Sequence, residues 1–146
     1  MKSVRLVDLE LTESRYESDD SVQIDFVMPL TPGTPGASEA VAEDCVVVYF
    51  ELKPGKRLGT HVDSEEELLL VTEGTVTVTV GTDAGTLSAG EMAVVPRKKP
   101  HSVRNIGDEK AAVVGFFPEG EVYHEFDEPV MPFDTREFVT KPEASS

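Results

Sequence analysis

The chain alternates apolar and polar positions over short stretches, most cleanly in Thr75-Val76-Thr77-Val78-Thr79-Val80. A period of two places the three valines on one face, so this segment predicts a strand buried on one side. Gly74 before it and Gly81-Thr82-Asp83-Ala84-Gly85 after it read as turns. Similar apolar stretches predict strands over residues 4–11, 22–28, 45–52, 58–63, 67–72, 92–95, 101–105 and 111–117. Valine occurs 21 times and threonine is frequent, and both are β-branched. Short strands at close spacing, punctuated by Gly and Pro, predict an all-β sandwich or barrel.

Three segments interrupt the pattern. Ser64-Glu65-Glu66-Glu67 before Leu68-Leu69-Leu70-Val71 has the form of a helix capping box. Gly74 would stop that helix within about ten residues, too short to stand alone, so a tight turn followed by a strand is preferred. Residues 30–38 form a Pro/Gly loop. Residues 118–146 carry four prolines and several acids. This extension is expected to be irregular and to wrap over the barrel through Phe126, Met131 and Phe133, with its last residues disordered. At 146 residues the whole chain suits one domain: N-terminal strands over 4–52, a central part over 55–105 and the extension.

Charge narrows the partners. Asp and Glu total 28 against 13 Lys and Arg, a net −15. Such a surface repels nucleic-acid phosphates and anionic lipid. The acid is spread along the chain, which suggests adaptation to high salt and a halophilic source. No run approaches the ~18 apolar residues of a membrane helix. The N-terminus has no apolar leader core, and a single cysteine, Cys45, allows no intrachain disulfide. A cytoplasmic protein is expected, with Cys45 inert in the core.

The candidate chemistry rests on few residues. The chain has three histidines: His61, His101 and His124. His61 and Asp63 are two apart, so on a strand they share a face. Glu67 follows after the turn, and His101 lies on another predicted strand. Two imidazole nitrogens with one or two carboxylate oxygens make a site for a divalent first-row metal. No thiol lies nearby in sequence, which disfavours a Cys-rich zinc site. His124, within Val122-Tyr123-His124-Glu125-Phe126, reads as a surface or packing residue. Lys53, Lys56, Arg57, Arg97, Lys98, Lys99 and Arg104 are seven of the thirteen basic residues and flank the histidines. Clustered in an acidic chain, they suggest a local field that draws an anionic substrate. Arg97, Lys98 and Lys99 should contribute most, because Arg104 is three residues from His101 and faces away from it on a regular strand.

Two segments resemble the paired motifs of the cupin superfamily. In the first, Gly55, His61, Glu67 and Gly74 fall in register with G-x5-H-x-H-x3,4-E-x6-G, and Asp63 replaces the second histidine. In the second, Gly90, Pro96, His101 and Asn105 match G-x5-P-x-G-x2-H-x3-N, and Lys98 replaces the middle glycine. The resemblance implies an antiparallel double-stranded β-helix, the jelly-roll barrel of a small cupin. It implies one divalent ion per chain (Fe, Mn, Ni, Co or Zn) with His61, Glu67 and His101 as ligands. Asp63 either ligates through oxygen or orients His61 or a bound water. Dioxygenase-type or isomerase/lyase chemistry on a small molecule would follow, with Glu67 or Asp63 as base. A homodimer is also in keeping with the resemblance.

Two other readings compete. One takes His61, Asp63 and His101 as the two-histidine, one-carboxylate triad of a 2-oxoglutarate oxygenase, with Lys110 or Arg104 as the clamp. It leaves the register of Gly55, Glu67 and Gly74 without a role. The other is a non-catalytic module that binds a metal or metabolite, which a substrate screen would separate from an enzyme.

Overall fold

Residues 1–141 are described in the computed structural model, and they hold twelve strands. In chain order these are β1 (Thr12–Arg15), β2 (Gln23–Val27), β3 (Val46–Leu52), β4 (Arg57–Asp63), β5 (Glu67–Glu73), β6 (Thr75–Val80), β7 (Asp83–Ser88), β8 (Met92–Val95), β9 (His101–Asn105), β10 (Ala111–Phe117), β11 (Val122–Val130) and β12 (Thr135–Thr140). One sheet runs β1-β2-β3-β10-β5-β8 and the other β12-β11-β4-β9-β6-β7. Ladders between named strands are antiparallel. From β3 onward the chain repeatedly passes from one sheet to the other, which is the double-stranded β-helix expected.

The alternation in β6 has the predicted effect, with Val76 and Val78 buried. They join Phe50, Leu52, Leu69, Val71, Val103 and Val113 in a core that fills one end of the barrel. Asn105 is buried and ties that end together. Its Nδ2 donates to the carbonyls of Leu52 (2.8 Å) and Glu109 (2.7 Å), and its Oδ1 accepts from the Gly107 N–H (2.9 Å). Gly74 sits at φ 79, and a Cβ there would lie 2.9 Å from Ala111 Cα. The two motif residues therefore hold turns and neighbouring strands rather than chemistry.

Ser64–Glu66 make a turn and β5 follows, so no helix forms there. Four expectations need correction. Residues 4–11 are not a strand: Leu6–Asp8 is a 3-10 turn, and Leu9 and Leu11 pack against Val27, Tyr49 and Ala112. Their apolar spacing reflects a cover over the outside of the sheet. The turn read over residues 81–85 is shorter, because β7 starts at Asp83, paired with Val80. β7 is a mostly exposed edge strand, so burial imposes no alternation on it. Cys45 is half-buried just before β3, not in the core.

The C-terminal extension is the largest correction. It supplies β11 and β12, which extend the second sheet beyond β4. β11 alternates buried and exposed side chains at its start, but the buried ones are Val122 and His124, and a histidine does not register as apolar. Phe126 and Phe133 do pack inward, against Tyr16, Val22 and Val130. The disorder expected at the very end concerns residues 142–146, outside the described residues.

Candidate metal centre

β4 alternates so that Gly59, His61 and Asp63 all point into the barrel. β9 places His101 directly opposite His61. β5, in the facing sheet, opens with Glu67 turned inward. His61, Asp63, Glu67 and His101 are all buried, and each offers a ligand atom within 4.8 Å of the others. His101 Nε2 lies 3.1 Å from Asp63 Oδ2 and 3.3 Å from Glu67 Oε1, and His61 Nε2 lies 3.6 Å from Asp63 Oδ2.

Backbone carbonyls orient both rings. His61 Nδ1 donates to Gly59 O at 2.8 Å, and His101 Nδ1 donates to Lys99 O at 2.9 Å. A carbonyl only accepts, so Nδ1 carries a proton in both rings and Nε2 is the atom turned toward the centre. Asp63 Oδ2 and His101 Nε2 are buried without a hydrogen-bond partner, although they are 3.1 Å apart. Buried polar atoms are ordinarily satisfied. Two orphaned ligand atoms converging with two more suit a divalent cation, and the donor set of two imidazoles and two carboxylates suits a first-row metal.

Glu67 needs room to sit there. A Cβ on Gly115 of β10 would collide with its Oε2 and come within 2.8 Å of Val48 Cγ1. Gly115 is therefore required by close approach, a need invisible without the fold.

The environments divide the titrating groups. Burial lowers the His61 pKa to about 4, against the opposing charge of Asp63. Burial also works against the charged form of His101, but the Asp63 and Glu67 carboxylates outweigh it and raise its pKa to about 10. Burial pushes the Glu67 carboxyl up. Burial would raise Asp63 as well, but contacts with His101 and His124 overcome it and hold the carboxyl well below its usual range. Adjacent carboxylates thus differ in proton affinity, the one strongly paired and the other mainly desolvated.

His124 is buried at this site. It sits opposite Asp63 across the β4–β11 ladder, and its Nδ1 donates to Asp63 Oδ1 at 2.7 Å. Its Nε2 is 3.1 Å from Thr140 Oγ1. Sequence reasoning placed it at the surface or in packing. The available signal was its even offset from Phe126 on an alternating stretch.

A cavity of about 410 Å³ opens beside the cluster, lined among others by His61, Glu67, His124 and Thr140. Arg97, Lys98, Lys99 and Arg104 do not line it; Arg97, Lys98, Lys99 and Arg104 are exposed. Arg104 points outward as its odd offset from His101 requires, with Nη1 3.4 Å from Gly55 O. Lys98 donates its backbone N–H to Asp63 O at 2.8 Å, so the loop supports β4 through its backbone. Lys110 reaches Glu51 and Glu73 rather than the cavity. No helix among the described residues is long and apolar enough to cross a membrane.

Residues 48–117 match the cupin domain family model. The polyketide synthase CurC of Streptomyces cyaneus is 31% identical over 86 residues, 58% of this chain and 53% of that protein. The chain thus spans about half the length of this curated relative. The polyketide cyclase RemF from Streptomyces resistomycificus superposes with a TM-score of 0.63 at 18% identity, covering 81% of this chain and 79% of that one. Oxalate oxidase gives a TM-score of 0.55 at 20% identity, covering 66% and 51%. At these identities the structural likenesses speak for the fold. The motifs, the barrel and the match agree that residues 48–117 form a cupin domain.

Proposed function

We propose that the protein is a metal-dependent cupin enzyme acting on a small organic molecule. One divalent ion per chain is held by His61, Asp63, Glu67 and His101. The observation that carries this reading is the pair of buried, unpartnered atoms, Asp63 Oδ2 and His101 Nε2, at the centre of four ligand-bearing side chains. When bound, such an ion supplies Lewis acidity to a substrate oxygen, or a site for dioxygen. Isomerase/lyase or dioxygenase-type turnover are the reactions this supports.

The protein's own groups divide the remaining work. Glu67 both reaches the cluster and lines the cavity, so on release from the ion its carboxylate would serve as a base toward a molecule held there. Asp63 is pinned by His124 and stays ionised, which suits it to hold charge at the centre. His61 stacks on Phe126, with ring centroids 4.5 Å apart, and is kept from tilting.

Elemental analysis of purified protein tests the assignment. About one divalent ion per chain is expected, with strong loss in His61→Ala and in His101→Ala. Full occupancy in the double variant overturns it. A ligand that binds near the ion but is recovered unchanged after exposure to dioxygen and to water would favour the binding-module reading.

A further inference from the structure

The cavity beside the metal cluster has an unusual wall. Phe26, Phe133, Phe138 and Phe126 form a chain of edge-to-face contacts with centroids 6.2, 5.7 and 5.9 Å apart, ending on the stacked His61 imidazole. Phe50 and Phe117 add to the same lining, with Met28, Leu58 and Val48. No lysine or arginine among the described residues lines it, and Glu67 is its one acid. Of its polar residues, His61, Glu67, His124 and Thr140 gather by the cluster, while Ser14 and Thr34 line it elsewhere.

We infer that this site takes a neutral, flat, ring-bearing molecule, which lays its apolar face on the phenylalanine wall and turns an oxygen substituent toward His61 and Glu67. A volume of about 410 Å³ is in the range of small-molecule sites and admits a fused ring system. Aromatic side chains favour offset or edge-to-face contact with another ring, a preference a saturated ligand cannot use. An anion finds no counter-charge on the wall, and its desolvation goes uncompensated. A divalent ion held by Asp63 and Glu67 would have its two charges offset by those carboxylates, so an anion could gain from it only as a direct ligand and not by resting on the wall. The exposed basic residues around the histidine motifs do not change this, since they lie outside the lining.

This assignment concerns residues outside the span matched by the family model. The four metal-cluster residues fall within residues 48–117, matched by the family model. Phe26, Phe126, Phe133, Phe138, His124 and Thr140 fall outside it, on β2, on β11 and β12 and, for Phe133, on the turn between those two. The family core thus carries the cluster, and the flanking strands choose what lies beside it.

The inference rests on the proposed reading of this cavity as the substrate site, and its test separates the two. The chain has no tryptophan, so the fluorescence of a bound naphthalene is read without interference from indole. Full-length protein, with metal content measured on the same sample, is titrated with 2-naphthol and with 2-naphthalenesulfonate. The sulfonate is a poor metal ligand and carries the charge. Saturable binding of 2-naphthol is expected, with the sulfonate at least tenfold weaker. Decahydro-2-naphthol should compete at least fivefold less well than its flat counterpart. Phe138→Leu and Phe126→Leu should each weaken 2-naphthol at least fivefold while the circular dichroism of the barrel is kept. Equal or tighter binding of the sulfonate overturns the inference, as does equal competition by the saturated alcohol. Unchanged binding in both folded Phe variants also overturns it. Absence of metal with these binding preferences intact would instead sink the metal-dependent reading and leave the ligand class standing.

Discussion

His124 donates from Nδ1 to Oδ1 of Asp63 at 2.7 Å, from the position directly opposite it across the β4–β11 ladder. One carboxylate oxygen is thereby occupied and the other, Oδ2, is left facing His61 and His101. The ladder fixes the separation of the two backbones, so the short Asp63 side chain, standing where the cupin motif has a histidine, is held at one orientation.

Replacing His124 by Phe removes that orientation but leaves the four ligand side chains in place. Divalent metal affinity should fall about 10- to 100-fold, as for other partners that orient a ligand. His61→Ala should cost more. Competition with a chelator of known affinity measures both, with circular dichroism reporting the fold. An unchanged affinity in the Phe variant would show that Asp63 needs no support from β11.

Gly115→Ala tests the seat of Glu67. The added methyl has no space between Glu67 Oε2 and Val48 Cγ1, and both belong to strands held in place on either side. The variant should bind metal at least tenfold more weakly and lose stability on the order of 1–3 kcal/mol by overpacking. Metal content and urea unfolding report the two effects. Wild-type metal affinity in a folded variant would remove Glu67 from the ligand set.

The paired motifs made the barrel and the four clustered residues readable because their requirements are local. His61 and Asp63 share a face by strand alternation, Gly74 makes a turn, and Asn105 at the end of β9 ties the turn that follows it. What escaped was set by distant pairing. β11 is held by laddering against β4 and β12, and Pro129 within it argues against a strand on sequence grounds. The phenylalanine wall joins Phe26 to residues more than a hundred positions later, a proximity no local pattern encodes. Clustering in sequence misled in the case of Arg97, Lys98 and Lys99. Their loop approaches Asp63 with its backbone, and the charged ends go to solvent.

Lys98 occupies the left-handed region at φ 60, where the cupin motif has glycine. A side chain there costs about 1–2 kcal/mol. Lys98→Gly should therefore leave stability unchanged or raise it by up to ~1 kcal/mol, the gain being reduced by the larger entropy of glycine in the unfolded chain. Lys98→Val should lower stability by a similar or larger amount. Thermal unfolding of the pair decides, and a destabilised glycine variant would mean that the lysine side chain has a role of its own.

Salt should act through the net charge of −15. The Debye length falls from about 30 Å at 0.01 M to about 3 Å at 1 M, which removes most repulsion among exposed acids. The melting temperature should rise over that range of potassium chloride. A flat or falling curve would show that the surface charges are already compensated locally.

The pH response should change shape when metal is bound. In metal-free protein the folded state holds the His101 proton up to a pKa of about 10, against an ordinary 6.5. Its contribution is complete below pH 6.5 and is lost as pH rises toward 10. His61 works in the opposite direction. Its folded pKa of about 4 lies below 6.5, so stability is lost as pH falls from 6.5 to 4. Asp63, lowered, adds to the acid loss once pH enters the usual carboxylate range, whereas Glu67, raised, contributes a loss as pH climbs above it. The melting temperature of metal-free protein should therefore peak near neutral pH and decline on both sides. A metal takes the place of the His101 proton, because the ligand nitrogen must be free. Loading at pH 8 should release about one proton per ion, measurable with a pH dye in weak buffer. The alkaline decline should flatten in the loaded protein. Uptake of metal at pH 8 without proton release would place the ion elsewhere than on His101 Nε2.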